Sequence, residues 1–144
     1  MFRRTGPAPE ILLVHPGGPF WAKKDEGAWS IPKGLVDENE DQLAAAKREF
    51  EEETGALPVG EAIPLGEFKQ PGGKIVTAFA VEGDFDLAGF RSNRFTMEWP
   101  PRSGRTGEFP EADRAGWFSI DEARRKILKG QALMLDVLLE RIAD

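Results

Sequence analysis

The chain has no cysteine, no tyrosine and one histidine in 144 residues. Without cysteine it forms no disulfide, offers no thiolate nucleophile and builds no Cys-ligated zinc site, which fits a reducing compartment. The lone histidine, His15, ends an apolar segment at a Gly/Pro turn and reads as an exposed, isolated residue. Long hydrophobic runs are also missing. The first residues, MFRRTGPAPEILLVHPGG, hold only Ile11 to Val14 as an apolar run, too short for a signal peptide or a membrane span, so the cytoplasm is the expected location. Positive charge is in deficit: 19 Lys and Arg against 25 Asp and Glu leave a net charge of −6. Such a chain has no field to draw a nucleic-acid polymer or an anionic membrane, and an anionic substrate would need a local cation.

What is present is the composition of a soluble globular protein, 40% hydrophobic and 31% charged, with 16 Gly and 11 Pro to make turns between short elements. One domain over residues 1–144 is expected, burying roughly 70% of its unfolded surface without staples. Glu10 to His15 reads as a buried strand stopped by Pro16-Gly17-Gly18-Pro19, and FWAKK and AWSI as short strands or extended segments. Asn39 to Thr54 reads as a helix capped by Asn39, with Leu43, Ala46 and Phe50 on its apolar face and Gly55 as its stop. AIPLGEFKQ and KIVTAFAVEG alternate as two strands, expected to be the longest, joined at the turn Pro71 to Lys74. RFTMEW and AGWFSI follow as strands, with PPRSGRTGEFPEADR between them as a long loop of the kind that carries function. Ser119 and Glu122 form a capping box, Gly130 interrupts, and Leu133, Val137, Leu138 and Ile142 stripe the closing helix.

The densest chemistry lies on the first helix, where Glu49, Glu51, Glu52 and Glu53 crowd five consecutive positions. Glu49, Glu52 and Glu53 stand at i, i+3 and i+4, so their carboxylates share one face within about 100° of arc. Like charges so placed cost an isolated helix ~0.2–0.5 kcal/mol per pair. A hard dication, Mg²⁺ or Mn²⁺, would compensate, because it takes carboxylate and carbonyl oxygens and bridges them to phosphate. The competing reading is a solvated acidic face with Lys47–Glu51 and Arg48–Glu52 as i,i+4 pairs.

From Gly34 the order is Gly, five residues, Glu40, seven residues, then Arg48-Glu49-Phe50-Glu51-Glu52-Glu53-Thr54-Gly55-Ala56. This resembles the motif of the Nudix hydrolases at every fixed position, with Phe50 bulky and Ala56 small for their apolar slots. Upstream WSIPKG and downstream PEADRAGWF are similar to the flanks of the branch acting on nucleoside and dinucleoside polyphosphates, so the likeness spans Trp29 to Phe118. The resemblance implies an α/β fold, a Nudix-type α/β/α sandwich with a mixed β-sheet between helices. It also implies hydrolysis of a nucleoside diphosphate joined to another group. Residue by residue, it makes Glu52 and Glu53 the main Mg²⁺ ligands (Mn²⁺ serving as well), the Lys33 carbonyl a further ligand, and Glu49 a ligand or the base. Arg48 would hold the carboxylates and Glu40 would brace the loop and helix, while Glu111 and Glu108 are the loop candidates for a base or extra ligand.

For the substrate, Trp29 is the aromatic kept as a base-stacking candidate beside the commoner core role of strand aromatics, and Lys33, Arg102 and Arg105 are candidate cations for the outer phosphates beside the commoner role of solvated surface charges. Pro71 stands fifteen residues beyond Ala56, where ADP-ribose-cleaving relatives often carry a proline, although a hairpin turn also accounts for it. The leading expectation is a pyrophosphohydrolase of nucleoside polyphosphates, such as dinucleoside tetraphosphate or nucleoside triphosphates. A nucleotide-sugar pyrophosphatase of the ADP-ribose type and a non-catalytic nucleotide-binding module are the alternatives. The expected partner is a small nucleotide, met by a monomer or homodimer.

Overall fold

The computed structural model describes residues 1–143. Strand β2 (Glu10–Pro16) lies between β1 (Phe2–Arg3) and β7 (Ala112–Ser119), antiparallel to both. β3 (Ala62–Lys69) and β4 (Ile75–Val81) form a second antiparallel pair around the Pro71–Lys74 turn, and β7 matches β3 in length at eight residues. A parallel bridge between Phe2 and Glu82 links the two sets, and a second parallel bridge joins Trp29 to Ile127. Every strand pairing among the described residues is antiparallel, and these two isolated bridges are the parallel contacts.

Helices cover both faces. β2 feeds two clusters, Ile11 and Leu13 packing with Phe68, Ala78, Met134, Leu135 and Leu138, and Leu12 packing with Phe50 and Phe85. A strand buried on both faces reads as an unbroken apolar run, which is why Ile11 to Val14 does not alternate. The first cluster lies under α2 (Ile120–Lys126) and α3 (Ala132–Ile142), the second under α1 (Gln42–Thr54). Among the described residues no helix is long and apolar enough to cross a membrane.

Several local expectations are corrected. α1 is capped by Asp41, whose carboxylate accepts from Ala44 N at 3.2 Å, not by Asn39. Asn39 instead adopts a left-handed φ of 64°, which its short polar side chain tolerates and which turns the chain before the helix. Gly55 ends α1 at φ 88°, as a C-terminal stop requires. FWAKK is a run of turns, with Trp21 N donating to the Gly18 carbonyl and Lys24 N to that of Trp21. The long loop is largely strand: β5 (Arg94–Glu98) pairs with β6 (Thr106–Pro110), from Arg94 opposite Pro110 to Glu98 opposite Thr106. Glycine and proline in TGEFP hide a ribbon that packs on neighbours rather than in the core.

In α3, Leu133 is 61% exposed and the buried residues are Met134, Leu135 and Leu138. A 3-10 turn at Lys129–Gln131 precedes the helix and sets its phase. The Ser119–Glu122 capping box forms as expected. His15 is buried, not exposed: Nδ1 stands 2.8 Å from Asp113 Oδ1 and Nε2 stands 2.6 Å from the Lys24 carbonyl. These partners come from β7 and from the turn after β2, neither adjacent to His15 in sequence.

Candidate functional site

The outward face of α1 is organised by one guanidinium. Arg48 binds Glu40 through two parallel hydrogen bonds, Nε to Oε2 at 2.8 Å and Nη2 to Oε1 at 2.9 Å. Nη1 donates to Glu49 Oε1 at 2.9 Å and to the Glu52 carboxylate at 3.3 Å, while Nη2 also reaches the Leu35 carbonyl at 2.9 Å. Arg48 and the Asp37 N–H, donating at 2.9 Å, hold Glu40 well below the usual carboxylate range, at about 2. The Arg48–Glu52 pair is therefore part of a network, not an isolated surface pair.

Glu53 faces the other way, accepting from Lys33 N at 2.5 Å. Burial pushes its carboxyl up to about 7, with the charges of Glu49 and Glu111 adding and the Lys33 N–H and ammonium opposing. Burial also raises Glu49, helped by Glu52 and Glu111 and opposed by Arg48. Gly34 makes the close approach possible: a Cβ there would lie 1.9 Å from the Glu49 carboxyl carbon. The Gly34–Glu40–Arg48–Glu49 spacing thus encodes a loop wrapped over a helix face.

Glu111 stands near this face, close enough for its charge to raise both Glu49 and Glu53. Its N–H donates to the Asn93 carbonyl, and Asn93 N donates to the Glu52 carbonyl at the C-terminal part of α1. Glu108 is not brought in, because it pairs with Arg94 across the exposed β5–β6 ribbon at 2.5 Å. Trp29 is corrected as a stacking residue. It is 6% exposed, packed edge-on against Phe118 and His15, and its Nε1 donates to Asp25 at 2.8 Å, so no base reaches its face.

Arg102 and Arg105 flank the tip of the β5–β6 ribbon, about 16 Å of strand beyond its base at Asn93. The ribbon packs on the turn after β2, through Gly18 against Phe95 and Phe20 against Trp99. Among the described residues neither arginine side chain forms an ion pair with the carboxylates of α1. Residues that sequence reasoning missed include Asp37 and the Leu35 carbonyl, both in the loop Arg48 gathers, and Gln131 behind it. Their only sequence signal is nearness to Gly34 and Glu40, and Gln131 has none.

The nearest large cavity, about 500 Å³, is lined by Lys33, Gly34, Leu35, Lys47 and the whole of β4. Among the described residues β4 pairs with β3 alone, apart from the Phe2–Glu82 bridge just past its end, and consecutive β4 residues line the cavity. The donor set suits a hard dication: carboxylates, a nearby backbone carbonyl, and a Glu53 whose ionisation is opposed first by burial and then by its anionic neighbours. Among the described residues no three acidic side chains are grouped so as to hold a metal ion as they stand. Glu49 and Glu52 turn toward Arg48, and Glu53 toward the Lys33 N–H.

The chain is similar in sequence and fold to known proteins. A mutT/nudix family protein from Listeria innocua superposes with a TM-score of 0.62 at 25% identity, over 98% of this chain and 88% of that one. An Ap4A hydrolase from C. elegans gives 0.66 at 20% identity over 99% and 93%, a likeness of fold. An RNA pyrophosphohydrolase of Caulobacter vibrioides is 43% identical over 54 residues, which is 34% of this chain and 31% of that protein. Nudix hydrolase 7 of Arabidopsis thaliana is 40% identical over 48 residues, 33% of this chain and 16% of that protein. The matched segment spans less than a third of these curated relatives. The profile of the NUDIX domain matches residues 1–138, and with the loop and helix built as described, the chain belongs to the NUDIX domain family.

Proposed function

We propose that the chain is a metal-dependent pyrophosphohydrolase cleaving a phosphoanhydride bond in nucleoside polyphosphates, with dinucleoside tetraphosphate or nucleoside triphosphates as substrates. One observation carries the reading: Arg48 binds Glu40, Glu49 and Glu52 at once while the Lys33 N–H holds Glu53 beside Gly34. A face that only needed solubility would not bury Glu53 among other carboxylates, where ionisation is opposed.

Glu52 and Glu53, with Glu49 and the Lys33 carbonyl, are the groups that would hold Mg²⁺ or Mn²⁺. The bound cation would neutralise phosphate charge and make a water more acidic. Arg48 fixes Glu49 by its Oε1, leaving Oε2 to take the proton of the attacking water. Glu111 is the second candidate base, being the one other carboxylate whose charge both Glu49 and Glu53 feel. As the water oxygen bonds to phosphorus, the bridging P–O bond breaks and the leaving phosphate carries the charge away. The cavity lined by Lys33 and Gly34 offers the rest of the substrate a place adjoining the carboxylates.

The relatives and neighbours support a phosphoanhydride substrate in common, since they include an Ap4A hydrolase and an RNA pyrophosphohydrolase. A panel of dinucleoside polyphosphates, nucleoside triphosphates and ADP-ribose, with product analysis in Mg²⁺, tests the reading. The highest kcat/KM is expected for a polyphosphate. A nucleotide sugar at the top of the panel replaces the substrate class, and binding without turnover makes the chain a recognition module.

A further inference from the structure

The backbone just ahead of Lys33 has a partner across the fold. Gln131, immediately before α3, is 1% exposed. Its Oε1 accepts from Ile31 N at 3.1 Å and its Nε2 donates to Ser30 Oγ at 3.0 Å. Ser30 Oγ donates onward to the Ile31 carbonyl at 2.7 Å. One buried amide therefore engages both polar groups of the Ile31 backbone, directly on one side and through a hydroxyl on the other.

This clasp sits where strand pairing ends. Ser30 exchanges both of its backbone bonds with Val14, and Pro32 has no N–H to donate. The next residue, Lys33, presents its N–H to Glu53, and Gly34 then passes against the Glu49 carboxylate. Gln131 is itself fixed from behind. Its N–H donates to the Leu128 carbonyl at 2.8 Å, and Gln70 Nε2 donates to the Gly130 carbonyl at 2.9 Å. A Cβ on Gly130 would stand 2.7 Å from Pro71 Cδ, so the β3–β4 turn closes on this corner. Removing one partner of a buried amide leaves the other unsatisfied, so the two peptide units flanking the Ile31 Cα each have one favoured orientation.

We infer that Gln131 is a positioning residue for hydrolysis, setting the Ile31–Gly34 backbone so that the Lys33 N–H and Gly34 receive Glu53 and Glu49. The kinetic part of this inference rests on the hydrolase reading; the structural part does not. The test compares Gln131→Leu, which removes both amide bonds, with Ser30→Ala, which removes only the hydroxyl link. Amide hydrogen exchange at Lys33 is measured by NMR in metal-free protein, and kcat and KM are measured in saturating Mg²⁺ on the best substrate of the panel. Gln131→Leu is expected to speed Lys33 exchange at least about tenfold relative to amides of the β5–β6 ribbon. It is also expected to lower kcat about tenfold with KM within about twofold, and Ser30→Ala to move both in the same direction by less. A uniform rise in exchange over the whole chain, or faster Lys33 exchange with unchanged kcat, overturns the positioning role. If Gln131→Leu does not fold, Ser30→Ala decides by the same two readouts. If the wild type turns over no substrate, the hydrolase reading fails, while Lys33 exchange still decides whether Gln131 sets that backbone.

Discussion

The loop and helix from Lys33 to Thr54 and the ribbon from Arg94 to Pro110 are both rich in charge, and they use it in opposite ways. On α1 a single arginine meets Glu40, Glu49 and Glu52, with Asp37 at 3.5 Å, and all are partly withdrawn from water except Asp37. On the ribbon, Arg94 pairs singly with Glu108 in solvent, and Arg102 and Arg105 have no ion pair among the described residues. Exposed single pairs contribute about 0–1 kcal/mol, whereas a partly desolvated network orients its members and perturbs their protonation. Charge count alone therefore does not locate a site. Convergence and burial do, and only the first region has both.

The largest effects should come from emptying the first region. Glu52→Gln or Glu53→Gln is expected to lower kcat by about 10²–10⁴ with an unchanged circular dichroism spectrum, because charge complementary to the transition state is lost. Turnover near wild type in either variant would break the comparison at its centre. Arg48→Ala should follow, with kcat lower by at least about tenfold. Arg48→Lys should rescue little, since an ammonium cannot bind Glu40 with two parallel bonds while reaching Glu49. Full rescue by lysine would reduce Arg48 to a point charge.

A third prediction concerns pH. Glu53 is raised in the fold from 4.5 to about 7, so between those values the native state keeps a proton that the unfolded chain has released. Metal-free stability should then fall as pH rises through that window, on the order of 3 kcal/mol, and Glu53→Gln should flatten the fall. Mg²⁺ should raise the melting temperature above pH 7 in the wild type and less so in the variant. Identical pH profiles for the two proteins would show that Glu53 ionises freely. The smallest effect is expected from the ribbon: Arg102→Ala with Arg105→Ala should change kcat/KM less than about threefold, evenly across the panel. A selective loss on the longest polyphosphates would bring the ribbon tip into the site and restore the role its composition suggested.

The acidic face was legible because a helix has a fixed period: Glu49, Glu52 and Glu53 share a face wherever residues 42–54 are helical, and Gly34, Glu40 and Arg48 keep fixed distances from them along the chain. The buried run of β2, the β3–β4 hairpin, the Gly55 stop and the Ser119 capping box were local patterns of the same kind. Other features depended on neighbours remote in sequence. Trp29 became core only because Phe118, His15 and Asp25 surround it, and His15 was buried because Asp113 and the Lys24 carbonyl stand within hydrogen-bond distance of its two ring nitrogens. TGEFP became a strand because β5 lay beside it. Gln131 met Ser30 and Ile31 across a hundred residues of chain, a pairing with no local periodicity to announce it. The sequence by itself determined which residues could share the carboxylate face, since helical geometry is set by the backbone. Tertiary packing alone decided which aromatics were withdrawn from substrate and which polar groups hold the loop over that face, because burial and hydrogen-bond partners belong to the folded neighbourhood rather than to the chain order.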